Sequence, residues 1–257
     1  MIEVRNLTFA YTHSQPVFLD FNWKVERGET WAILGPSGCG KTTLLYLLAG
    51  LRFPNSGQIL IDEQPLTRPR PQTGLILQEY GLLPWATVRQ NAELGLRIRD
   101  FYGPDGKHGP SVIRQNSGVS KWLERLGIAS IQDKYIHQIS GGQRQRTAIA
   151  RTLATDPNLM LMDEAFSSLD ALTRESLQNL TLELQAEQNL TLVIVTHAIE
   201  EAAVMGRKIL LLEQPPNTRA VIVDNPGMAE KGFRSSQEYL ELCRSLRSRM
   251  EDGRAAP

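Results

Sequence analysis

The sequence predicts an α/β fold: a doubly wound parallel sheet with an antiparallel β subdomain at the N-terminus and an inserted helical subdomain. Short, nearly continuous apolar runs recur along the chain, and helical segments separate most of them, as expected for parallel strands buried on both faces. Near the N-terminus apolar and polar residues alternate, which is typical of strands with one solvated face. About eighty residues between the second and third apolar runs show helical spacing and no strong strand signal.

The N-terminal segments predict an antiparallel sheet. "MIEVRNLTFAY" alternates apolar and polar residues, with a break at Arg5-Asn6. "FLDFNWKVERGE" alternates in the same way, and its predicted apolar face consists of Leu19, Phe21, Trp23 and Val25. "GQILIDEQPL" adds a further strand to this sheet.

Five apolar runs predict the parallel sheet, in the order "TWAIL", "TGLIL", "NLMLM", "LTLVIV" and "KILLL". All five runs fall in a domain predicted over residues 1–225, into which a helical subdomain is inserted at about 84–156. Within that insertion, the Gly- and Pro-rich stretch 102–110 predicts a surface loop. A helical tail is expected over 226–257, starting with a capping box at Ser235.

Composition restricts the classes of protein to which the chain could belong. The 257 residues include 28 Lys and Arg and 28 Asp and Glu, so no net charge points to a nucleic-acid partner. The two cysteines, Cys39 and Cys243, indicate a reducing compartment and no disulfide framework. No apolar run approaches the roughly 20 residues that a membrane span needs. We therefore expect a cytoplasmic protein, which remains free to dock onto a membrane protein.

"GPSGCGKTT" predicts a phosphate-binding loop. It follows an apolar strand and precedes an apolar helix, as the P-loop pattern requires. Its glycines let backbone N–H groups surround a phosphate, Lys41 brings a positive charge to the β and γ phosphates, and Thr42 offers a hydroxyl to Mg²⁺. The predicted nucleotide-binding residues of this loop are Gly35, Ser37, Gly38, Cys39, Gly40, Lys41, Thr42 and Thr43.

Polar residues end the other central strands. Asp163 follows a buried run and is placed to hold Mg²⁺, and Glu164 is placed to act as a general base on water. Gln78 and His197 follow two more runs, at the strand ends where ligands bind in this architecture. Each of the latter two, taken alone, is more often an ordinary surface or core group. We predict that Gln78 contacts Mg²⁺ and the attacking water, and that His197 contacts the γ phosphate and Glu164.

The full motif set resembles the ATP-binding cassette (ABC) ATPase family over residues 1 to 212. The set comprises the P-loop, Gln78, "SGGQ", "LMLMDE", "SSLD" and His197, in this order. The resemblance implies ATP and Mg²⁺ as ligands and adenine stacking on Tyr11. It also implies that the second anion-binding helix start, formed by Ser140, Gly141, Gly142 and Gln143, binds the ATP held by another subunit. Asp170 would lie at the same dimer seam. An ordinary capped helix is the structural alternative for "SGGQ".

One departure from the family pattern is visible after the catalytic glutamate. The family commonly has proline there, and this chain has Ala165. Proline would bias Glu164 away from helical backbone angles, so its absence loosens that constraint.

The apolar run Leu82–Trp85 indicates which group of ABC proteins the chain resembles. "LLPW-x-TV-x-x-N" resembles the ATPase subunits of importers for nitrate, sulfonates, taurine and related solutes, where this segment receives a helix of a membrane permease. A loop packed on its own subdomain is the alternative. The sequence has no room after the tail for the regulatory domain of sugar, sulfate or polyamine importer ATPases, which favours the same group.

The resulting functional prediction is an importer ATPase. We expect a homodimer, or a dimer with a close paralogue, docked on a permease at the cytoplasmic face of the inner membrane, and indirectly served by a solute-binding protein. The alternative is a non-transport ABC ATPase acting on DNA, translation or cofactor assembly. The long coiled-coil insertions or second cassettes of such proteins are not seen in this sequence.

Overall fold

A computed structural model describes residues 1–11, 15–102, 118–230 and 232–252. It divides into two compact units. The first comprises Met1–Arg70, Leu161–Glu164 and Leu184–Pro257, and the second comprises Pro71–Met160 and Ala165–Glu183. The predicted domain limits, 1–225 with 84–156 inserted and a tail over 226–257, stay a prediction. Apart from residue 102, the predicted loop at 102–110 lies outside the described residues.

The described strands are β1 (Ile2–Ala10), β2 (Pro16–Val25), β3 (Thr30–Leu34), β4 (Ser56–Ile61), β5 (Gln64–Pro65), β6 (Thr73–Ile76), β7 (Leu159–Asp163), β8 (Thr191–Thr196), β9 (Lys208–Leu211) and β10 (Val221–Asp224). The described helices are α1 (Lys41–Leu48), α2 (Val88–Tyr102), α3 (Val119–Arg125), α4 (Gly141–Leu153), α5 (Ala171–Gln188), α6 (Ile199–Met205) and α7 (Gln237–Asp252). Within these residues, the structure contains no helix that is long and apolar enough to cross a membrane.

The antiparallel sheet of the first unit has the strand order β2-β1-β4-β5. Ile2 pairs with Val25 and Val4 with Trp23, so the alternating apolar residues of both strands share one face. The predicted face is wrong at Leu19, which is exposed while Phe18 is buried. The register shifts along this strand pair, and the left-handed backbone of Asp20 (φ 51°) accompanies the irregularity. An irregularity of this kind reverses which side chains point inward.

The central sheet of the first unit has the order β10-β9-β3-β8-β7. β3 runs parallel to β8 and to β9, and every residue of β3 and β8 is buried. The interpretation of these three apolar runs as parallel strands is therefore correct, and the α/β fold class is confirmed. β10 pairs antiparallel with β9 and was not predicted.

Helix α7 packs on α6 and buries Leu246 completely. The predicted capping box at Ser235 is wrong. Ser235 ends a short 3₁₀ turn, and it is the Ser236 hydroxyl that accepts a hydrogen bond from the Tyr239 N–H at 3.1 Å. Two adjacent serines offer the same side chain, and the 3₁₀ turn decides which of them stands at the helix start.

The described part of the second unit is mostly helical. α4 packs against α2 and α3, and its buried face is formed by Ala148, Ile149 and Leu153. Strand β6 lies beside the start of β7, where the Leu159 N–H donates to the Gln72 carbonyl at 3.3 Å. Gly74 lets β6 approach α4 closely, since a Cβ there would lie 2.1 Å from a Thr152 methyl.

Candidate nucleotide-binding site

The glycine-rich loop connects β3 to α1 in the first unit, and two of its glycines are required by close packing. A Cβ on Gly35 would lie 2.5 Å from the Leu212 carbonyl oxygen, and one on Gly40 would lie 2.5 Å from a Val17 methyl. Gly38 differs, because it needs its positive φ of 80° but has no described atom within 4 Å of a hypothetical Cβ. The loop therefore fits closely against the fold on one side and is open on the other.

Lys41 is held inside this loop. Its side chain is buried, and its ammonium donates to the carbonyl oxygens of Gly35 at 2.8 Å and Pro36 at 2.9 Å. Helix α1 carries no side-chain cap, and its N-cap residue is Gly40 with φ 105°. Uncapped N–H groups and a buried ammonium together favour an anion at this helix start.

Cys39 is the buried residue at the centre of the loop. Burial raises the pKa of its thiol, and the nearby Lys41 charge opposes that shift only in part. The thiol is therefore neutral near neutral pH, and Cys39 contributes its backbone to the loop.

Asp163 and Thr42 meet beside the loop. Asp163 ends β7 and is buried, and the Thr42 hydroxyl donates to its Oδ1 at 3.2 Å. Burial raises the pKa of Asp163, and the neighbouring Glu164 charge raises it further, while Thr42 and the Lys41 charge lower it. A carboxylate in this position is stabilised by any cation that joins it.

Glu164 and His197 form the second polar pair. His197 follows β8, and its Nδ1 lies 3.1 Å from Glu164 Oε1. Glu164 has a left-handed backbone (φ 46°), and its N–H donates to the Val195 carbonyl of β8 at 2.9 Å. The His197 side chain is 61% exposed and that of Glu164 is 21% exposed, so water can reach the carboxylate. An oriented, water-accessible carboxylate can serve as a general base.

These groups line one cleft of about 740 Å³ within the first unit, a volume typical of small-molecule sites. Its lining consists of Tyr11, Gln15, Val17, Ser37, Gly38, Gly40, Lys41, Thr42, Thr43, Glu164, His197 and Pro215. Sequence reasoning missed Gln15, Val17 and Pro215, which belong to no motif. Asp163 reaches this region through its bond to Thr42.

Tyr11 lies at one side of the cleft. Its hydroxyl is 3.0 Å from the Thr43 hydroxyl oxygen, and its ring meets the Phe9 ring edge-on with centroids 5.1 Å apart. The Arg52 guanidinium lies 5.7 Å from the ring centroid. These contacts fix the ring while leaving 42% of the residue exposed, so a planar ligand can pack against it.

The remaining predicted site residues belong to the second unit. Ser140 caps α4, since its hydroxyl accepts from the Gln143 N–H at 3.3 Å while Gln143 Oε1 accepts from the Ser140 N–H at 3.0 Å. This capping box occupies one of the predicted anion-binding N–H groups and leaves those of Gly141 and Gly142 at the helix start.

Asp170 and Gln78 also belong to the second unit. Asp170 Oδ1 accepts from the Thr173 N–H at 3.0 Å, and this backbone hydrogen bond is the main cause that lowers the Asp170 pKa. Asp170 thus caps the start of α5. Gln78 is exposed two residues after β6.

The loop Leu82–Trp85 is anchored and partly exposed. Trp85 is 72% exposed, whereas Leu82 and Leu83 are half-buried. The buried Asn91 side chain accepts from the Leu83 N–H at 2.7 Å and donates to the Leu83, Ala86 and Thr87 carbonyls at 3.0–3.2 Å. The loop therefore has a fixed backbone that projects one large aromatic side chain.

No group of three or more His, Cys, Asp and Glu side chains that could hold a metal ion occurs among the described residues.

Comparison with known proteins identifies the family. The ABC transporter family model matches residues 18–167, more than half of the chain. The taurine import ATP-binding protein of Yersinia pestis is 40% identical over 248 residues, covering 96% of this chain and 91% of that protein. The aliphatic sulfonates import ATP-binding protein of Bacillus cereus is 34% identical over 242 residues, covering 94% and 91%.

A solved structure supports the same assignment. The ATP-binding cassette MJ0796, determined as a dimer in a post-hydrolysis state with ADP and Pi, superposes with a TM-score of 0.72 at 27% identity. The match covers 88% of this chain and all of that one. The predicted resemblance is confirmed: the chain belongs to the ABC transporter family and is one of its ATPases.

Proposed function

We propose that the chain is the ATP-binding and ATP-hydrolysing subunit of a membrane importer for a small solute of the nitrate, sulfonate and taurine group. The observation that carries the ATPase function is the joint position of Lys41, Glu164 and His197 around one cleft of a single unit. The relatives named as taurine and aliphatic sulfonates import proteins support the importer. They also favour it over a non-transport ABC ATPase.

In this proposal the P-loop holds ATP. The N–H groups of Gly38 and Gly40 and the start of α1 face the phosphates, and Thr43 supports Tyr11, whose ring packs on adenine. The Lys41 ammonium exchanges its two loop carbonyls for the β and γ phosphate oxygens. This exchange is favourable because a charged partner makes a stronger hydrogen bond than a neutral carbonyl does.

Glu164 removes the proton from the water that attacks the γ phosphate. His197 Nδ1 holds the carboxylate from one side, and a protonated imidazole can donate from Nε2 to a γ phosphate oxygen at the same time. Glu164 and His197 together therefore position the general base and the γ phosphate on either side of the attacking water. Gln78 is proposed to contact the same water.

Mg²⁺ fits the oxygen ligands beside the P-loop. We propose that Thr42, Asp163 and Gln78 hold it, directly or through water, together with the phosphates. Asp163 is suited to this role because burial raises its pKa and a cation would offset that penalty. When bound, the ion neutralises charge on the β and γ phosphate oxygens.

The proposed working form is a dimer on a permease. Gly141 and Gly142 N–H groups and the Ser140 hydroxyl would face the ATP of the partner subunit, with Gln143 bracing the helix start and Asp170 at the seam. Trp85 and its loop would receive the permease. The subunit would act at the cytoplasmic face of the inner membrane, and a solute-binding protein would deliver the solute to the permease.

The test combines hydrolysis with uptake. Purified wild-type protein should hydrolyse ATP, and Lys41→Ala should reduce hydrolysis at least about 100-fold because a phosphate loses its main positive partner. Cells lacking the gene should take up labelled taurine, an alkanesulfonate or nitrate less well, and only the wild-type gene should restore that uptake. Hydrolysis without any uptake defect would leave the ATPase intact and reject the importer.

A further inference from the structure

The buried side chain of Asn217 joins two walls of the cleft. Its Nδ2 donates to the Cys39 carbonyl at 2.9 Å and to the Val17 carbonyl at 3.2 Å. Its Oδ1 accepts from the Glu213 N–H at 2.9 Å. Both amide protons and the amide oxygen are therefore used, in a residue that is 4% exposed.

The backbone of Asn217 strengthens the same connection. Its N–H donates to the Val17 carbonyl at 2.9 Å, and its carbonyl accepts from the Leu19 N–H at 3.0 Å. Residue 217 thus runs beside β2 as a short parallel bridge, with Phe18 as its partner. This bridge holds the segment in the position from which the Asn217 side chain reaches Cys39.

The bond to Cys39 sets the direction of a phosphate-binding N–H. The Cys39 carbonyl and the Gly40 N–H belong to one planar trans peptide, in which they point in opposite directions. Holding the carbonyl on Asn217 therefore points the Gly40 N–H away from Asn217, and Gly40 lines the cleft. Gly40 has φ 105°, a conformation open mainly to glycine, so its own torsions restrain this peptide weakly.

Val17 completes the arrangement. Its side chain lines the cleft and lies against Gly40, where a Cβ would come within 2.5 Å of it. One amide group therefore fixes the loop peptide and the strand that supports the loop.

We propose that Asn217 is a positioning residue that orients the Cys39–Gly40 peptide toward the nucleotide phosphates. The inference rests on the proposed ATP-binding function of the cleft. It assigns to the segment after β9 a role in nucleotide affinity, although Asn217 itself touches no ligand.

A matched pair of asparagines tests the proposal. Asn225 is also buried in the first unit, and its Nδ2 also donates to two carbonyls, those of Ala203 at 2.7 Å and Gly206 at 2.8 Å. It does not line the cleft. Asn217→Asp and Asn225→Asp keep the side-chain shape and remove two donated bonds each, so both should lower the unfolding midpoint.

Affinity for ATP and ADP separates the two sites. Asn217→Asp should weaken both nucleotides about tenfold, the effect of misdirecting one N–H that donates to a charged group. Asn225→Asp should stay within about twofold of wild type. Equal affinity of Asn217→Asp and wild type, or equal losses in the two variants, would overturn the proposal. Failure of wild type itself to bind either nucleotide would instead reject the proposed function.

A measurement on the wild-type protein covers the case in which Asn217→Asp does not fold. The side-chain amide resonances of Asn217 should shift in an NMR titration with ADP, because the peptide they hold carries the ligand, and those of Asn225 should not. Unchanged Asn217 resonances at saturating ADP would contradict the proposed connection.

Discussion

At the scale of single residues, Glu164 shows where the restraint on the catalytic carboxylate comes from. The chain has Ala165 where a proline would limit the backbone of the preceding residue, and Glu164 nevertheless has a defined left-handed conformation. Such a conformation costs a non-glycine residue about 1 kcal/mol or more. The Val195 carbonyl and His197 hold it in place, so neighbouring strand β8 supplies the restraint that the local sequence lacks.

Replacing Glu164 by Gln tests this carboxylate. Glu164→Gln keeps the side-chain size but cannot accept the proton of water, so phosphate release should fall at least about 100-fold while ATP affinity stays near wild type. Glu241→Gln makes the same charge change at an exposed position of α7 and should leave both quantities unchanged. Retention of more than a tenth of the hydrolysis rate by Glu164→Gln would remove it from the role of general base.

At the scale of elements, Asn91 explains how an apolar loop can be both exposed and ordered. It begins the second turn of α2 and binds four backbone groups of the loop that precedes that helix. The loop backbone is therefore satisfied internally, and Trp85 remains available for a partner. An aromatic side chain on a rigid support is a typical anchor of protein interfaces.

Trp85→Ser should separate docking from stability. An exposed side chain contributes little to folding, so we expect the free energy of unfolding to change by less than about 0.5 kcal/mol and ATP hydrolysis by the isolated subunit to stay normal. Co-purification with the permease should fall at least about tenfold. The control is Ile98→Ser, which removes another exposed apolar side chain of the second unit. A large loss of stability in Trp85→Ser would support the packing alternative for this loop.

The sequence predicted element types better than their details. Buried strands such as β3 are evident because a parallel strand covered on both faces must be apolar throughout. The irregularity at Asp20, which exposes Leu19, depends on pairing with β1 and has no local signal. β10 is short and its side chains are only half covered, so its composition resembles that of a loop.

At the scale of the whole molecule, the proposed dimer can be tested by complementation. Lys41→Ala damages the cleft of its own chain, whereas Ser140→Arg should damage the site on the partner. In a mixed dimer both lesions fall in one site, and the other site is intact. Random pairing makes about half of the dimers mixed, so about a quarter of all sites should be sound. ATP-dependent dimerisation should therefore return on mixing, with some hydrolysis if one intact site suffices.

A second mixture provides the control. Lys41→Ala and Glu164→Gln both damage the cleft of their own chain, so each site of their mixed dimer contains one lesion and hydrolysis should not return. Tagged chains would verify that subunits exchange. Exchange without recovery in the Ser140 mixture would show that Ser140 acts within its own chain, as its capping bond to Gln143 already does.

Residues of the site that form a local sequence pattern could be predicted, whereas residues that reach the site only through contacts distant in sequence could not. The P-loop and the Asp163-Glu164 pair are local patterns, and a chemical reason exists for each residue type at its position. Asn217 lies 178 residues from Cys39, and its role depends on a bridge to β2 that only the folded chain creates. Gln15 and Pro215 also line the cleft although they belong to no local sequence pattern.

Gly141 and Gly142, the two adjacent glycines at the start of α4, differ in the space around them, and substitutions at the two positions therefore have different consequences. A Cβ on Gly142 would lie 2.6 Å from a Thr173 methyl, so any larger residue overpacks the α4–α5 contact and costs about 1–3 kcal/mol. A Cβ on Gly141 meets only a Leu169 methyl, at 3.4 Å. In a saturation screen scored by growth, depletion at Gly142 would mix folding with function, whereas depletion at Gly141 would report selectively on what binds there.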